Sequence, residues 1–207
     1  MGSMAFVDKK NIIPRLNSAE SVSVELGCGS SKKEITAIGI DVLDYECVDI
    51  VGDALEVLAS FPERSVHQVY SSHFLEHVAD IDGFLRELER IVKPGGDLDL
   101  VVPHFSNPYY YSDYTHRSFF GLYTFSYLTS NALFRRKVPT YNRPNKFELI
   151  DVRLRFRSER PFYARYLMKL MLGKLINSTN YLKEFYEENL CYLLPCYEIE
   201  YHLRKKI

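Results

Sequence analysis

Two glycines, two aspartates and a run of histidines and tyrosines are the residues of this 207-residue chain best suited to chemistry. Gly27 and Gly29 flank Cys28 directly after the β-type run Val22–Leu26. Residues without a Cβ let the backbone turn tightly and approach a ligand closely. Asp41 closes the next β-type run, the place where an acid binds ribose hydroxyls in nucleotide-binding sheets. Asp53-Ala54 follows a third short run. Further on, His104–Phe120 is a long loop dense in groups that titrate, hydrogen-bond and stack. Within it His104 and His116 are candidate general bases, because imidazole titrates near neutrality. Asp113 is the candidate to orient either one. Arg117 suits a phosphate or carboxylate on an acceptor, and Tyr110 and Tyr114 suit stacking on a sugar or base. The same tyrosines serve equally well to pack the loop onto a sheet, and His116 to cap a helix opening near Phe119.

These groups need elements to hold them. Val22–Leu26, Ala37–Asp41, Val48–Ile50, Val66–Ser71 and Leu98–Val102 read as short strands. Between them lie Ala54–Ser60 and the amphipathic stretch Asp80–Ile91, whose Ile81, Phe84, Leu85, Leu88 and Ile91 share one helical face. Lys93-Pro94-Gly95-Gly96 stops that helix. Strands alternating with helices predict a parallel sheet with right-handed crossovers, and ligands in such sheets sit outside the carboxyl ends of the strands. The second half predicts a helix within Leu122–Phe134, strands at Phe147–Arg157 and Tyr197–Lys205, and helices at Pro161–Ile176 and Tyr181–Leu194. The expected fold is α/β, a Rossmann-like seven-stranded mostly parallel sheet with helices on both faces and a helical insertion between the last two strands. All of 1–207 is read as one domain, with 1–20 an N-terminal extension and 158–195 the insertion. Met1-Gly2-Ser3-Met4 looks like an expression scar ahead of a native Met4.

A dinucleotide site would want a third glycine where Lys32 stands, to let helix and strand close over a pyrophosphate. Ser30–Glu34 is also too short for an ordinary crossover helix, so a ligand without a pyrophosphate fits better. Val24-Glu25-Leu26-Gly27-Cys28-Gly29 resembles motif I of the class I S-adenosylmethionine-dependent methyltransferases. Asp41, Asp53-Ala54, Ser71-Ser72-His73-Phe74-Leu75-Glu76-His77 and Leu88–Leu100 resemble the motifs that follow, over roughly residues 20 to 105. The resemblance implies S-adenosyl-L-methionine as cofactor. It implies that Glu25, Gly27 and Gly29 hold the methionine part, Asp41 the ribose and Asp53 the adenine amine, with Ser71, Ser72 and Phe74 near the sulfonium. Cys28, Val42 and Ala54 complete the cofactor set, although Cys28 also reads as a small buried filler, and Asp53 as a helix N-cap. His73 joins Tyr110, Tyr114 and Arg117 on the acceptor side. Asp113-Tyr114-Thr115-His116-Arg117 resembles a segment of methyltransferases encoded with bacterial surface-polysaccharide genes. That resemblance implies a sugar, nucleotide-sugar or phosphorylated acceptor, such as a nucleotide-linked phosphoramidate destined for a capsule.

Two rivals stand beside this reading. One is a methyltransferase-fold partner subunit without activity. The other is a zinc peptidase, because His73-Phe74-Leu75-Glu76-His77 matches an H-x-x-E-H pattern. The expectation is no metal, since the stretch leaves a strand directly instead of lying within a long helix. A formal net charge of −1 gives no sign of a nucleic-acid polymer as partner. Four cysteines without a C-x-x-C pair predict free thiols. No signal peptide, myristoylation pattern or membrane-spanning run is expected, which makes the cytoplasm the default location. Tyr166–Ile176 is apolar around most of a helix, with Lys169 and Gly173 on one narrow strip. It predicts packing within the chain, a homodimer contact, a lid or a membrane-surface contact. Arg153, Arg155, Arg157 and Arg160 precede it.

Overall fold

A computed structural model describes residues 6–18, 21–129, 133–139, 141, 146–158 and 161–207. The supposed scar at 1–4 and Arg160 lie outside them, as do residues 130–132 of the helix expected in Leu122–Phe134. Eight strands form one sheet: β1 (Val7–Asp8), β2 (Ser23–Leu26), β3 (Ile38–Asp41), β4 (Ile50–Val51), β5 (Val66–Ser72), β6 (Val92–Pro103), β7 (Phe147–Arg155) and β8 (Glu198–Lys205). Their order is β1-β4-β3-β2-β5-β6-β8-β7. The neighbours from β4 through β6 run parallel, and β1, β7 and β8 pair antiparallel. The chain moves outward from β2 to β3 and β4, then crosses back to β5 on the other side. The switch point therefore lies between the ends of β2 and β5, where Leu26 pairs with Ser71.

The eighth strand comes from the N-terminal extension. Val7 and Asp8 pair with Val51 and Ile50, the Asp8 carboxylate accepts from Ile12 and Ile13 N–H, and Leu16 is buried. Two residues carry no detectable period, so the expected seven strands became eight.

The helices α1 (Ala54–Ala59) and α2 (Ile81–Ile91) start as the sequence dictates. Asp53 accepts from Leu55 and Glu56 N–H, and Asp80 accepts from Gly83 N–H, each satisfying first-turn donors that lack a helical partner. Phe84, Leu85, Leu88 and Ile91 of α2 are fully buried, each worth roughly 1.5–3 kcal/mol of transfer free energy. The strand after α2 begins at Val92, well before Leu98. Lys93-Pro94-Gly95-Gly96 sits inside it as an irregularity, with Gly95 at φ +79° and the register shifting between Val66 and Gln68.

The segments joining β2 to β3 and β3 to β4 contain no helix. Across β5, β6 and β8 one face of the sheet carries a polar ladder: Gln68 donates to Asp99 at 2.5 Å, Asp99 meets His202 at 2.7 Å, and Arg204 pairs with Asp97 at 2.7 Å. Side chains alternate strictly along β6 and β8, so a strand keeping Leu98, Leu100 and Val102 in the core turns Asp97 and Asp99 outward.

Between β7 and β8 lie α3 (Tyr163–Ile176) and α4 (Asn180–Asn189), the expected insertion. Gly173 lets α3 approach Phe156, and Asn177 exchanges hydrogen bonds with Leu154. Leu167, Met168, Met171 and Leu175 of α3 remain exposed. The helix expected within Leu122–Phe134 is, among the described residues, one 3-10 turn at Thr124–Tyr127. Phe120, Leu122, Tyr123, Phe125 and Phe134 are all buried, a spacing that no single helical face carries.

Candidate functional site

The turn after β2 is built around its two glycines. Gly27 has φ +65° and Gly29 φ +57°, the left-handed region that glycine enters without steric cost. A Cβ on Gly27 would lie 2.7 Å from the Phe74 Cβ, so Phe74 packs directly on the turn. A Cβ on Gly29 would meet nothing within 4 Å. Gly29 therefore faces open space, the arrangement a ligand-approaching glycine needs. Gly29 N–H donates to Asp41 Oδ2 at 2.8 Å, and Leu43 N–H donates to Asp41 Oδ1 at 2.9 Å. Each carboxylate oxygen keeps a further acceptor position. The turn and the acid that the sequence singled out are thus brought together.

Residues 30–37 have no helix, and two buried carboxylates hold them instead. Glu25 accepts from Lys33 N–H at 3.0 Å and Glu34 N–H at 2.9 Å. Asp49 accepts from Lys32 Nζ at 2.5 Å, Lys10 Nζ at 2.5 Å and Gly39 N–H at 2.9 Å. Lys33 Nζ reaches the Ser72 hydroxyl. Sequence reasoning missed Asp49, Lys33 and Lys32. The only signal was an acid and two lysines flanking a crossover too short for a helix.

Val42, directly after β3, and Leu55, in the first turn of α1, are exposed apolar groups, and Ala54 is buried. Asp53 spends its Oδ1 on the α1 cap. Ser71 is 3 % exposed, and its Oγ has no hydrogen-bond partner beside Leu26. Such an orphan costs on the order of 1–3 kcal/mol unless a ligand satisfies it. Cys28 is a filler: burial first, then nearby Cys47, Asp41 and Glu25, push its thiol up to about 12. An open glycine turn, a carboxylate with spare acceptors and an orphaned hydroxyl come together at the switch point. They fit a nucleoside joined to an amino acid.

His73 leaves β5 at φ +55°. Its Nε2 contacts Glu198 at 2.9 Å and its Nδ1 lies 3.4 Å from Glu76. Glu198 first, then Glu76, raises His73 to about 9. His73 is thus an ion-pair partner of a residue 125 positions away, not a member of a helical H-x-x-E-H set. The structure gathers Glu76, His77 and His116 instead, with one oxygen or ring nitrogen of each within 4.8 Å of the others.

The loop candidates separate cleanly. His104 is 0 % exposed, with Nδ1 on Ser106 at 2.8 Å and Nε2 on Glu187 at 2.9 Å. Both nitrogens are spent in the core, so His104 cannot take a proton from an acceptor. Tyr110 is buried and donates its hydroxyl to Ser118 O, so it packs the loop and is not available to stack on a ligand. His116 is different: only Nδ1 is spent, on Tyr110 O at 2.8 Å. Asp113 accepts from Thr115 at 2.6 Å and lies 3.7 Å from His116, which places it at hand without a hydrogen bond. Tyr114 is 92 % exposed and Arg117 is exposed, its N–H fastened to Glu76 O at 2.6 Å.

At the same edge of the sheet, a cavity of about 840 Å³ opens between β7 and α3. Arg153, Arg155, Arg157, Lys169 and Lys174 line it, and Glu198 links it to His73. No helix among the described residues is long and apolar enough to cross a membrane. The four cysteines are free thiols, as expected.

The model of the methyltransferase domain family matches residues 24–99. No curated protein matches the chain. Among solved structures, a SAM-dependent methyltransferase from Archaeoglobus fulgidus is 18 % identical, with a TM-score of 0.54 over 95 % of this chain and 94 % of that one. The YcgJ protein of Bacillus subtilis is 14 % identical, with a TM-score of 0.50 over 93 % and 96 %. Phosphoethanolamine N-methyltransferase 2 of Haemonchus contortus, in complex with S-adenosyl-L-methionine, is 14 % identical with a TM-score of 0.51. That match covers 94 % of this chain and 51 % of the other. These likenesses carry the fold.

Proposed function

We propose that this chain, which has a class I methyltransferase fold and matches the methyltransferase domain family over residues 24–99, transfers the methyl group of S-adenosyl-L-methionine to a small anionic acceptor. The observation that carries the reading is the convergence of Gly29, Asp41 and the orphaned Ser71 Oγ at the switch point between β2 and β5. Asp41 would take the ribose hydroxyls. Val42, Asp53 and Ala54 would flank the adenine, and Gly27, Gly29 and the loop held by Glu25 would cradle the amino-acid part. Ser71, Ser72 and Phe74 would border the sulfonium. Bound there, S-adenosylmethionine supplies an activated methyl carbon open to in-line displacement.

The protein's own share is mostly positioning, since a near-attack geometry is worth up to about 7–11 kcal/mol. His116 donates from Nδ1 to a carbonyl, so Nε2 keeps the basic lone pair on the acceptor side. His73, paired with Glu198 and Glu76, borders the mouth without adding net charge. Arg153, Arg155, Arg157, Lys169 and Lys174 make the neighbouring cavity electropositive, which favours a phosphorylated acceptor. Arg117 and the exposed Tyr114 are the loop groups free to meet such a molecule. The resemblance of residues 113–117 to polysaccharide-cluster methyltransferases narrows the class to a sugar phosphate, nucleotide-sugar or phosphoramidate. The Haemonchus contortus protein is named for a phosphorylated substrate, but the case here rests on the cavity.

The test is turnover: S-adenosylhomocysteine is quantified after incubation with S-adenosylmethionine and a panel of sugar phosphates, nucleotide-sugars and their neutral sugars. The reading expects product with a charged acceptor and none with its neutral counterpart. Tight S-adenosylhomocysteine binding without turnover on any acceptor would favour the non-catalytic partner subunit.

A further inference from the structure

We infer that Glu76, His77 and His116 form a binding site for a divalent metal ion of the zinc class, with His77 and His116 ligating through Nε2 and Glu76 through a carboxylate oxygen. Glu76 is 1 % exposed, yet its Oε2 has no hydrogen-bond partner. A buried carboxylate oxygen without a partner is costly, and a cation is the ligand that removes the cost.

The two imidazoles are held in the form a metal requires. His116 Nδ1 faces Tyr110 O, which only accepts, so Nδ1 carries the proton and Nε2 the lone pair. His77 Nδ1 lies 3.0 Å from Thr115 Oγ1. Thr115 has one hydroxyl proton, and Asp113 Oδ1 takes it at 2.6 Å. Thr115 therefore accepts from His77 Nδ1, and His77 too presents Nε2. A ring nitrogen that donates to a protein oxygen while the other ligates is the usual outer support of a metal-bound histidine. The backbone fixes the pairing, because Glu76 O accepts from both Arg117 and Ser118 N–H and so clamps the His116 segment beside His77.

Bonds of about 2.0–2.2 Å would ask the three atoms to draw in by about 1 Å, within reach of the exposed His77 ring. Two histidines and one carboxylate leave a fourth position open, as in catalytic rather than structural zinc sites. Within the methyl-transfer reading, which this role presupposes, that position takes an oxygen of the acceptor and lowers its pKa through the ion, so in the metal-loaded protein His116 acts as a ligand and the ion takes over the part of the free base. Binding of the ion does not depend on that reading.

Calorimetric titration of zinc into the untagged full chain tests the site, with cobalt(II) absorption reporting the coordination geometry. The expectation is one ion per chain and a tetrahedral cobalt spectrum. His77→Ala, His116→Ala and Glu76→Gln should each weaken binding at least tenfold, and Thr115→Val about 10- to 100-fold. His77 is exposed, so His77→Ala keeps the fold, as circular dichroism would verify. No zinc binding, or binding indifferent to His77→Ala and His116→Ala, overturns the site. S-adenosylhomocysteine binding by the same preparation separates this failure from failure of the cofactor reading.

Discussion

Alanine at the two turn glycines should have opposite signatures, because the turn places them in different surroundings. Both have positive φ, so each substitution carries a left-handed penalty of about 1–2 kcal/mol. At Gly29 that is the whole effect on the empty protein, since the new methyl meets nothing. At Gly27 the new Cβ lies 2.7 Å from Phe74 Cβ, an atom that no rotamer change moves. The turn or the Phe74 backbone must shift, adding about 1–3 kcal/mol of overpacking. Gly29→Ala should thus lower the melting temperature by about 2–8 °C, and Gly27→Ala by about 4–20 °C, at roughly 2–4 °C per kcal/mol for a chain of this size. Binding should reverse the contrast. The Gly29 methyl occupies the open side where the ligand approaches, so Gly29→Ala should lose at least tenfold in S-adenosylhomocysteine affinity while staying folded. Thermal unfolding and calorimetry on the two variants are the assays. Equal stability of the two variants, or wild-type affinity in Gly29→Ala, would refute the reasoning.

Asp53→Ala should cost about 1 kcal/mol through the lost α1 cap, visible in urea unfolding. Asp53→Ser restores the cap, so any affinity for S-adenosylhomocysteine that it fails to restore belongs to the carboxylate. His73→Asn keeps a residue that tolerates positive φ while removing the ion pair with Glu198. Because His73 is raised from its ordinary 6.5 to about 9, its stabilisation is fully present below pH 6.5 and fades as pH rises to about 9. The wild-type advantage in urea should shrink across that window, and a pH-independent difference would contradict the assignment. His104→Ala should destabilise by about 1–3 kcal/mol, leaving Glu187 and Ser106 without their partner, and keep S-adenosylhomocysteine affinity. His116→Ala should keep that affinity and lose roughly 100-fold or more in turnover, measured as S-adenosylhomocysteine release.

What the sequence disclosed was local chemistry. Glycine spacing, an acid at a strand end and an apolar stripe each act within a few residues, so Gly27, Gly29, Asp41, Asp53 and α2 were legible. Pairings distant in sequence were not. Asp49 looks like any loop acid until the fold sets it against Lys10 and Lys32. His73 and His77 share a motif, yet Glu198 claims the first and the 115–118 segment claims the second. His104 and His116 are both loop histidines by sequence, and only the partners the fold gives them separate the first, with both ring nitrogens bonded, from the second, with one bonded. The helix misjudged near Leu122–Phe134 failed because five aromatic or aliphatic side chains turn inward without a helical period. The crossover after β2 is too short to carry a helix, as its length at Ser30–Glu34 implies, and residues 30–37 hold none.

Isothermal titration of the intact chain with S-adenosylhomocysteine tests the central claim most directly. The account predicts saturable heat with one ligand per chain, weakened at least tenfold by Asp41→Asn. A flat titration, or an affinity that Asp41→Asn leaves untouched, would contradict it.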